Sequence, residues 1–214
     1  MSCQTWHLKE LEVEHIEVRE VLRCILHTIM FHRALCLVRP KDTDSELFEI
    51  TYVKCGDDEL DRKIEERIDQ LIIWTKKHTN KKILICLSFY EIKNKQAKWF
   101  NNKIERVYWE HWYINLQLVK SRTIGRFHQT GQTTKLEEKS VKHAALESAL
   151  HEVIFQIIRF VNEKSNHVPS VPSSNESASF PFDITIPSSS DYSFGWRADV
   201  FKRMLQTGHS NLLH

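Results

Sequence analysis

Residues 83–90 read Ile-Leu-Ile-Cys-Leu-Ser-Phe-Tyr, and residues 112–118 read Trp-Tyr-Ile-Asn-Leu-Gln-Leu. The first run is almost wholly apolar, as expected of a strand that is central in its sheet or covered on both faces. The second alternates. Trp112, Ile114, Leu116 and Leu118 fall on one side and Tyr113, Asn115 and Gln117 on the other, so one face is buried and the other more polar. Between the two runs, residues 92–107 carry Lys93, Lys95, Lys98, Lys103 and Arg106 around an adjacent Trp99-Phe100 pair, and read as a basic aromatic loop.

Working outward, Trp6 to Val13 alternates roughly and fits a short strand. From Ile16 to Leu37, Val18, Val21, Leu22, Ile25, Ile29 and Cys36 follow helical spacing, with Leu26, Met30, Phe31 and Leu35 widening the apolar surface, until Pro40 stops the helix. Leu47 to Lys54 reads as a strand with Phe48, Ile50 and Tyr52 on one face, and Gly56 breaks it. Asp57, Asp58, Glu59 and Asp61 then crowd the first turn of a second helix, where negative charge meets the positive end of the dipole. Its buried stripe is Leu60, Ile64, Ile68, Leu71 and Ile72. Downstream, the polar stretch 121–134 leads into the strongest helix, Leu136 to Glu163, with Leu146, Leu150, Val153, Ile157, Phe160 and Val161 as its core face. A Pro/Ser-rich crossing segment, 165–180, follows. Phe182 to Ile186 returns as a strand, and a short terminal helix is expected over Trp196 to Gln206. This order predicts an α+β fold in one domain spanning residues 1–214.

Lys plus Arg total 30 against 28 Asp plus Glu, so the net charge of +2 supplies no whole-molecule field toward nucleic acid or membrane. The five cysteines have no Cys-x-x-Cys spacing, and their odd number argues against a closed disulfide framework. Without a signal core, or an apolar run near the ~18 residues that span a bilayer, the sequence reads as a cytoplasmic, reduced protein.

No cofactor or catalytic group is expected. The five glycines build no phosphate loop or nucleophile elbow. His151-Glu152-Val153-Ile154-Phe155 begins like a zinc-protease helix and fails where Phe155 replaces the second histidine. Five residues place His27 and His32 about 140° apart on a helix, so they cannot clasp one metal; His32 falls near the apolar stripe and reads as a buried, hydrogen-bonded histidine, with Arg33 pairing to an acidic neighbour. The carboxylates read as helix-surface charges paired at i, i+4, such as Asp58 with Arg62 and Glu59 with Lys63.

Three blocks, in order, carry a resemblance. They are Glu20 to Arg33, with its Leu-His-Thr and His-Arg elements; Phe48-Glu49-Ile50-Thr51-Tyr52-Val53 followed by Glu59-Leu60-Asp61-Arg62; and Leu87-Ser88-Phe89-Tyr90, then Trp99-Phe100, then Trp109-Glu110-His111-Trp112. Together they resemble the autophagy-related protein 101 family, most specifically over residues 15 to 120. The resemblance implies a HORMA-like fold, a mostly antiparallel sheet backed by three long helices, and no catalytic activity. It further implies a scaffold subunit of the autophagy-initiating kinase complex, paired with the HORMA domain of autophagy-related protein 13 and acting at the preautophagosomal assembly site. In that family a protruding finger bearing a Trp and a Phe recruits downstream autophagy factors, and Trp99 and Phe100 are the matching positions. Here they are adjacent, whereas a proline separates them in animal members.

Two candidate partner-binding sites follow, Trp99-Phe100 and a patch on the long helix. At about 100° per residue Phe155 falls opposite that helix's core face, with His151 and Arg159 as its i−4 and i+4 neighbours. An aromatic there needs cover, either from a dimer partner or from the chain's own C-terminal segment. The basic aromatic loop also suits a lipid- or nucleic-acid-binding module; with so few charges and no nucleic-acid motif, transient membrane contact is the stronger of the two and no nucleic acid is expected.

Overall fold

The structure is a computed structural model that describes residues 3–34, 38–77, 82–96, 102–119, 132–163, 166–170 and 180–186. Its elements, in chain order, are β1 (Gln4–His7), β2 (Leu11–Glu14), α1 (Val18–His32), β3 (Lys41–Asp44), β4 (Thr51–Lys54), α2 (Asp58–Lys77), β5 (Lys82–Gln96), β6 (Asn102–Val119), α3 (Gln132–Glu163) and β7 (Phe182–Thr185). The main sheet runs β1-β6-β5-β7, with β2 also on β6; β5 pairs antiparallel with β6 and β7, while β1 and β2 run parallel to β6. A mostly antiparallel sheet with three helices is the expected α+β architecture, consistent with a HORMA-like fold.

The expected apolar stripes become one core. Val18, Val21, Leu22, Ile25 and Ile29 of α1, Leu60, Ile64, Ile68 and Leu71 of α2, and Leu146, Leu150, Val153, Ile157 and Val161 of α3 share a single cluster with Ile83, Ile85, Leu87, Trp112, Ile114 and Leu116 of the sheet. Ile72 and Phe160 pack at its margin, half-buried. Helix α1 is covered nearly all round because charge joins apolar contact on its outer side: Arg23 lays a two-pronged grip on Glu65 of α2, Nε to Oε1 at 2.7 Å and Nη2 to Oε2 at 2.9 Å. Asp57 caps α2, its Oδ1 accepting from the backbone N–H groups of Glu59 and Leu60.

Several boundaries differ from expectation. Helix α1 ends at His32, where the Arg33 N–H turns to the carbonyl of Met30, and Cys36 lies outside the described residues. His32 is exposed; the buried histidine of α1 is His27, whose ring nitrogens have no hydrogen-bond partner among the described residues. Of the strand expected over 47–54, only Thr51–Lys54 is extended. Phe48, Ile50 and Tyr52 are nonetheless all buried, and its partner is a strand with no apolar signal, Lys41–Asp44. Arg62 pairs with Glu66 rather than Asp58, while Glu59 and Lys63 pair as expected. Gly56 holds φ +69°, and a Cβ there would lie 2.3 Å from the carbonyl oxygen of Arg39.

The largest correction concerns the loop expected over 92–107. The hairpin ladder continues through it, Ile92 opposite Arg106 and Gln96 opposite Asn102, so that β5 and β6 extend beyond the sheet as a two-stranded arm. Lys93, Lys95, Lys103, Glu105 and Arg106 interrupt any alternation of apolar and polar residues along it, so the sequence offers no period-two signal to read. Residues 97–101, with Trp99 and Phe100, lie outside the described residues, as do residues 171–179 of the crossing segment and the helix expected over 196–206. No helix among the described residues is long and apolar enough to cross a membrane.

Candidate functional site

Glu110 is a carboxylate with no exposed surface, on the central strand β6. A shift in the β5–β6 register between Phe89 and Tyr90 leaves Trp109 and Glu110 both opposite Phe89, and both are buried, as a bulge that turns two consecutive residues inward allows. A lone charge at such a place would be strongly disfavoured, so it must be paired. Arg33, just past the end of α1, donates Nε to Oε2 at 2.6 Å and Nη2 to Oε1 at 2.7 Å. Trp6 of β1 donates Nε1 to Oε1 at 2.6 Å, and His167, beyond α3, places Nε2 3.2 Å from the same oxygen. Burial pushes the carboxyl upward, but the bonds and charge of Arg33, with the bonds from Trp6 and His167, outweigh it and hold the group below the ordinary carboxylate range. The knot joins one helix, two strands and the segment after α3. Sequence reasoning expected an acidic partner for Arg33 without naming it; the available signal was a carboxylate set among Trp109, His111 and Trp112.

A second buried polar pair has the outline of a nucleophile and base. Ser88 Oγ lies 2.8 Å from His111 Nδ1, and Cys86 Sγ is 3.3 Å from the same hydroxyl. Burial depresses the His111 imidazole to about 4, so it is neutral and free to accept. Ser88 is only 1% exposed, however, which leaves its oxygen no open surface. The pair satisfies itself inside the sheet. Among the described residues no group of three or more His, Cys, Asp or Glu is placed to hold a metal.

Helix α3 carries the outward patch. Phe155 is 68% exposed, and His151 and Arg159 are exposed beside it. Arg159 leans away from the ring, its Nε 3.7 Å from Glu163 and its guanidinium 5.7 Å from the centre of the Phe160 ring. Other surfaces of α3 are clamped. Gln156 accepts from the Lys9 N–H at 3.0 Å and donates to the His7 carbonyl at 3.3 Å, and Glu152 pairs with Lys9. Further along, His143 sits 2.8 Å from the Leu47 carbonyl and stacks on Phe48, and Glu147 accepts from the Glu49 N–H at 2.9 Å. His143, Glu147, Ala144 and Ser140 thereby line a shallow groove with residues 45–49.

Fold and site together define the class: an α+β domain, helices on one side of a mostly antiparallel sheet, whose buried charges serve its architecture. A family model described as Autophagy-related protein 101 matches residues 10–175. The Autophagy-related protein 101 of Arabidopsis thaliana is 56% identical over 221 residues, covering 100% of both chains. That of Schizosaccharomyces pombe is 26% identical over 92% of each, and that of Homo sapiens 22% identical over 82% of this chain and 79% of its own. The chain belongs to the autophagy-related protein 101 family, and a role in autophagy comes with that membership.

Proposed function

We propose that this chain is a non-enzymatic scaffold subunit of the autophagy-initiating kinase complex, heterodimerising with the HORMA domain of autophagy-related protein 13 at the preautophagosomal assembly site. The observation that carries the reading is Phe155, a large apolar ring held outward between His151 and Arg159 on a helix that is clamped elsewhere to His7 and Leu47. The arm of β5 and β6 supports a second attachment point for downstream autophagy factors, since its ladder runs to Gln96 opposite Asn102, the residues that flank the Trp99-Phe100 segment in the chain.

The test is to melt the chain alone and with the proposed partner domain. At a partner concentration 100-fold above Kd the complex gains about 2.7 kcal/mol, which at ~2–4 °C per kcal/mol for a chain of this size raises the melting point by about 5–11 °C. Phe155→Asp should leave the isolated fold intact while weakening the pair by about 2 kcal/mol or more, roughly 30-fold. No shift on mixing would overturn the partnership. Unchanged affinity in the folded variant would remove Phe155 from it.

A further inference from the structure

The groove between α3 and the turn that joins β3 to β4 has two fixed walls. Glu20 of α1, only 3% exposed, anchors the turn: its Oε2 accepts from Ser45 Oγ at 3.0 Å and from the Glu46 N–H at 3.1 Å. The Ser45 hydroxyl accepts in turn from the N–H groups of Leu47 and Phe48, both at 3.3 Å. On the α3 side, His143 holds the Leu47 carbonyl at 2.8 Å, lies 3.3 Å from Glu17 Oε1 and stacks on Phe48 at 5.1 Å, while Glu147 holds the Glu49 N–H. Between the walls lies an open space of about 520 Å³. Leu47, Phe48 and Ala144 give it an apolar lining, and Leu47 keeps 37% of its surface exposed. Glu46, Glu49 and Glu147 add three carboxylates, and no lysine or arginine lines the groove. His143, the one basic residue of the lining, has both ring nitrogens engaged.

We infer that this groove is the docking site for a short extended segment of a partner protein, one that carries arginine beside an aliphatic residue. Charge complementarity selects the occupant. Like charges crowded at one place on a surface repel, and a cation entering among the three carboxylates relieves that repulsion. Arginine suits the lining better than lysine, because its planar guanidinium offers five donors to more than one carboxylate while its aliphatic stem lies along Leu47 and Ala144. The α3 wall from Ser140 to Glu147 is about 10 Å long, which matches about three residues of extended chain. Because both walls are already held in place, little freedom is lost when the segment enters. Phe155 stands about 12 Å further along the helix than Glu147, so the groove is a surface separate from the patch proposed to meet autophagy-related protein 13, and the inference does not rest on that pairing.

The test follows amide chemical shifts of the full, isotopically labelled chain as the peptide acetyl-Gly-Arg-Leu-Arg-Gly-amide is added. Saturable shifts should centre on residues 45–49 and 140–147, and a peptide with glutamate in place of both arginines should produce none. Glu46→Lys/Glu49→Lys should weaken the arginine peptide about 10-fold or more, since two exposed attractions become repulsions. Ala144→Trp fills the groove without altering its charge and should also remove binding, which separates this site from general attraction to an acidic surface. All three positions are exposed, so the fold should survive. Should a variant fail to fold, the contrast between the two peptides on the wild-type chain still decides. No saturable shift at the groove, equal shifts from both peptides, or undiminished binding in the folded variants would overturn the inference. Concentration-dependent shifts of the same amides without peptide, abolished by Ala144→Trp, would assign the groove to a second copy of the chain and overturn it likewise.

Discussion

Replacing Glu110 by alanine tests the account of the buried knot. Arg33 is 5% exposed, so its guanidinium would be left in the core without the two carboxylate bonds of 2.6 and 2.7 Å, and Trp6 and His167 would lose their common acceptor. Breaking a buried pair by removing one partner costs about 3–5 kcal/mol, because the remaining charge is desolvated without compensation. At ~2–4 °C per kcal/mol for a chain of this size, the melting point should fall by about 6–20 °C. The apolar double variant Arg33→Met/Glu110→Leu leaves no orphaned charge and should recover much of the loss, so that the cycle of single and double variants shows strong coupling. Acid adds a sign. The Glu110 pKa is lowered in the folded state, so the pair's contribution is complete above the ordinary carboxylate value of 4.5 and is lost as pH falls through the lower folded value. The double variant should therefore lose less stability in acid than wild type does. Thermal melts and urea titrations measure all of these quantities. A Glu110→Ala melting point within about 2 °C of wild type would refute the reasoning.

Two further outcomes are expected. Burial, with the charge of Lys54 nearby, depresses His27 to about 4. Because the unfolded chain takes up a proton near 6.5 and the folded chain resists it, stability is full above 6.5 and declines toward pH 4, by up to about 3 kcal/mol from this residue. His27→Phe should flatten that decline between pH 7 and pH 5, and an unaltered slope in urea midpoints would count against a neutral buried ring. Gly56→Ala combines a left-handed φ of +69° with a Cβ set 2.3 Å from the Arg39 carbonyl oxygen, and should cost about 1–3 kcal/mol. The check is a lower denaturant midpoint at constant slope; an unchanged midpoint would mean the Arg39 backbone yields freely.

The helices and central strands were legible because each buries one side: the residue spacing that named Leu60, Ile64 and Ile68, or Trp112, Ile114 and Leu116, is the spacing at which a periodic backbone meets a core. Where both sides face water, or neither does, that signal vanishes. Lys41–Asp44 is a strand of charged and polar residues that only its partner Thr51–Lys54 specifies, and the arm beyond Tyr90 is held by ladder bonds that leave no trace in hydrophobicity. The Glu110 knot was hidden for another reason. Its members lie 77, 104 and 57 residues from Glu110 in the chain, so nothing local distinguishes a buried carboxylate from a solvated one. Arg33 illustrates the limit: its need for an acidic partner was readable, whereas the partner's identity depended on a bulge that only the paired strands reveal. Phe155 was legible for the inverse reason, since an aromatic set against its own helix's core face stands out whatever the tertiary fold.

The knot, the clamps along α3 and the exposed ring bear on one another. His167 ties the segment leaving α3 to Glu110, Gln156 and Glu152 tie the middle of the helix to the β1–β2 connection, and His143 and Glu147 tie its earlier turns to residues 45–49. These contacts come from three separate parts of the chain, so rotating α3 to bury Phe155 would break all of them at once and expose Leu150, Val153 and Ile157 to water. The ring is thus outward because every other orientation of the helix is already worse. A rigidly presented aromatic gives up little freedom when a partner covers it, and the loss of such freedom is a main cost of association. The residues that hold α3 should therefore influence partner affinity without touching the partner: loosening the clamp through Gln156→Ala should weaken binding mainly through a higher entropic cost, with Phe155 itself unaltered.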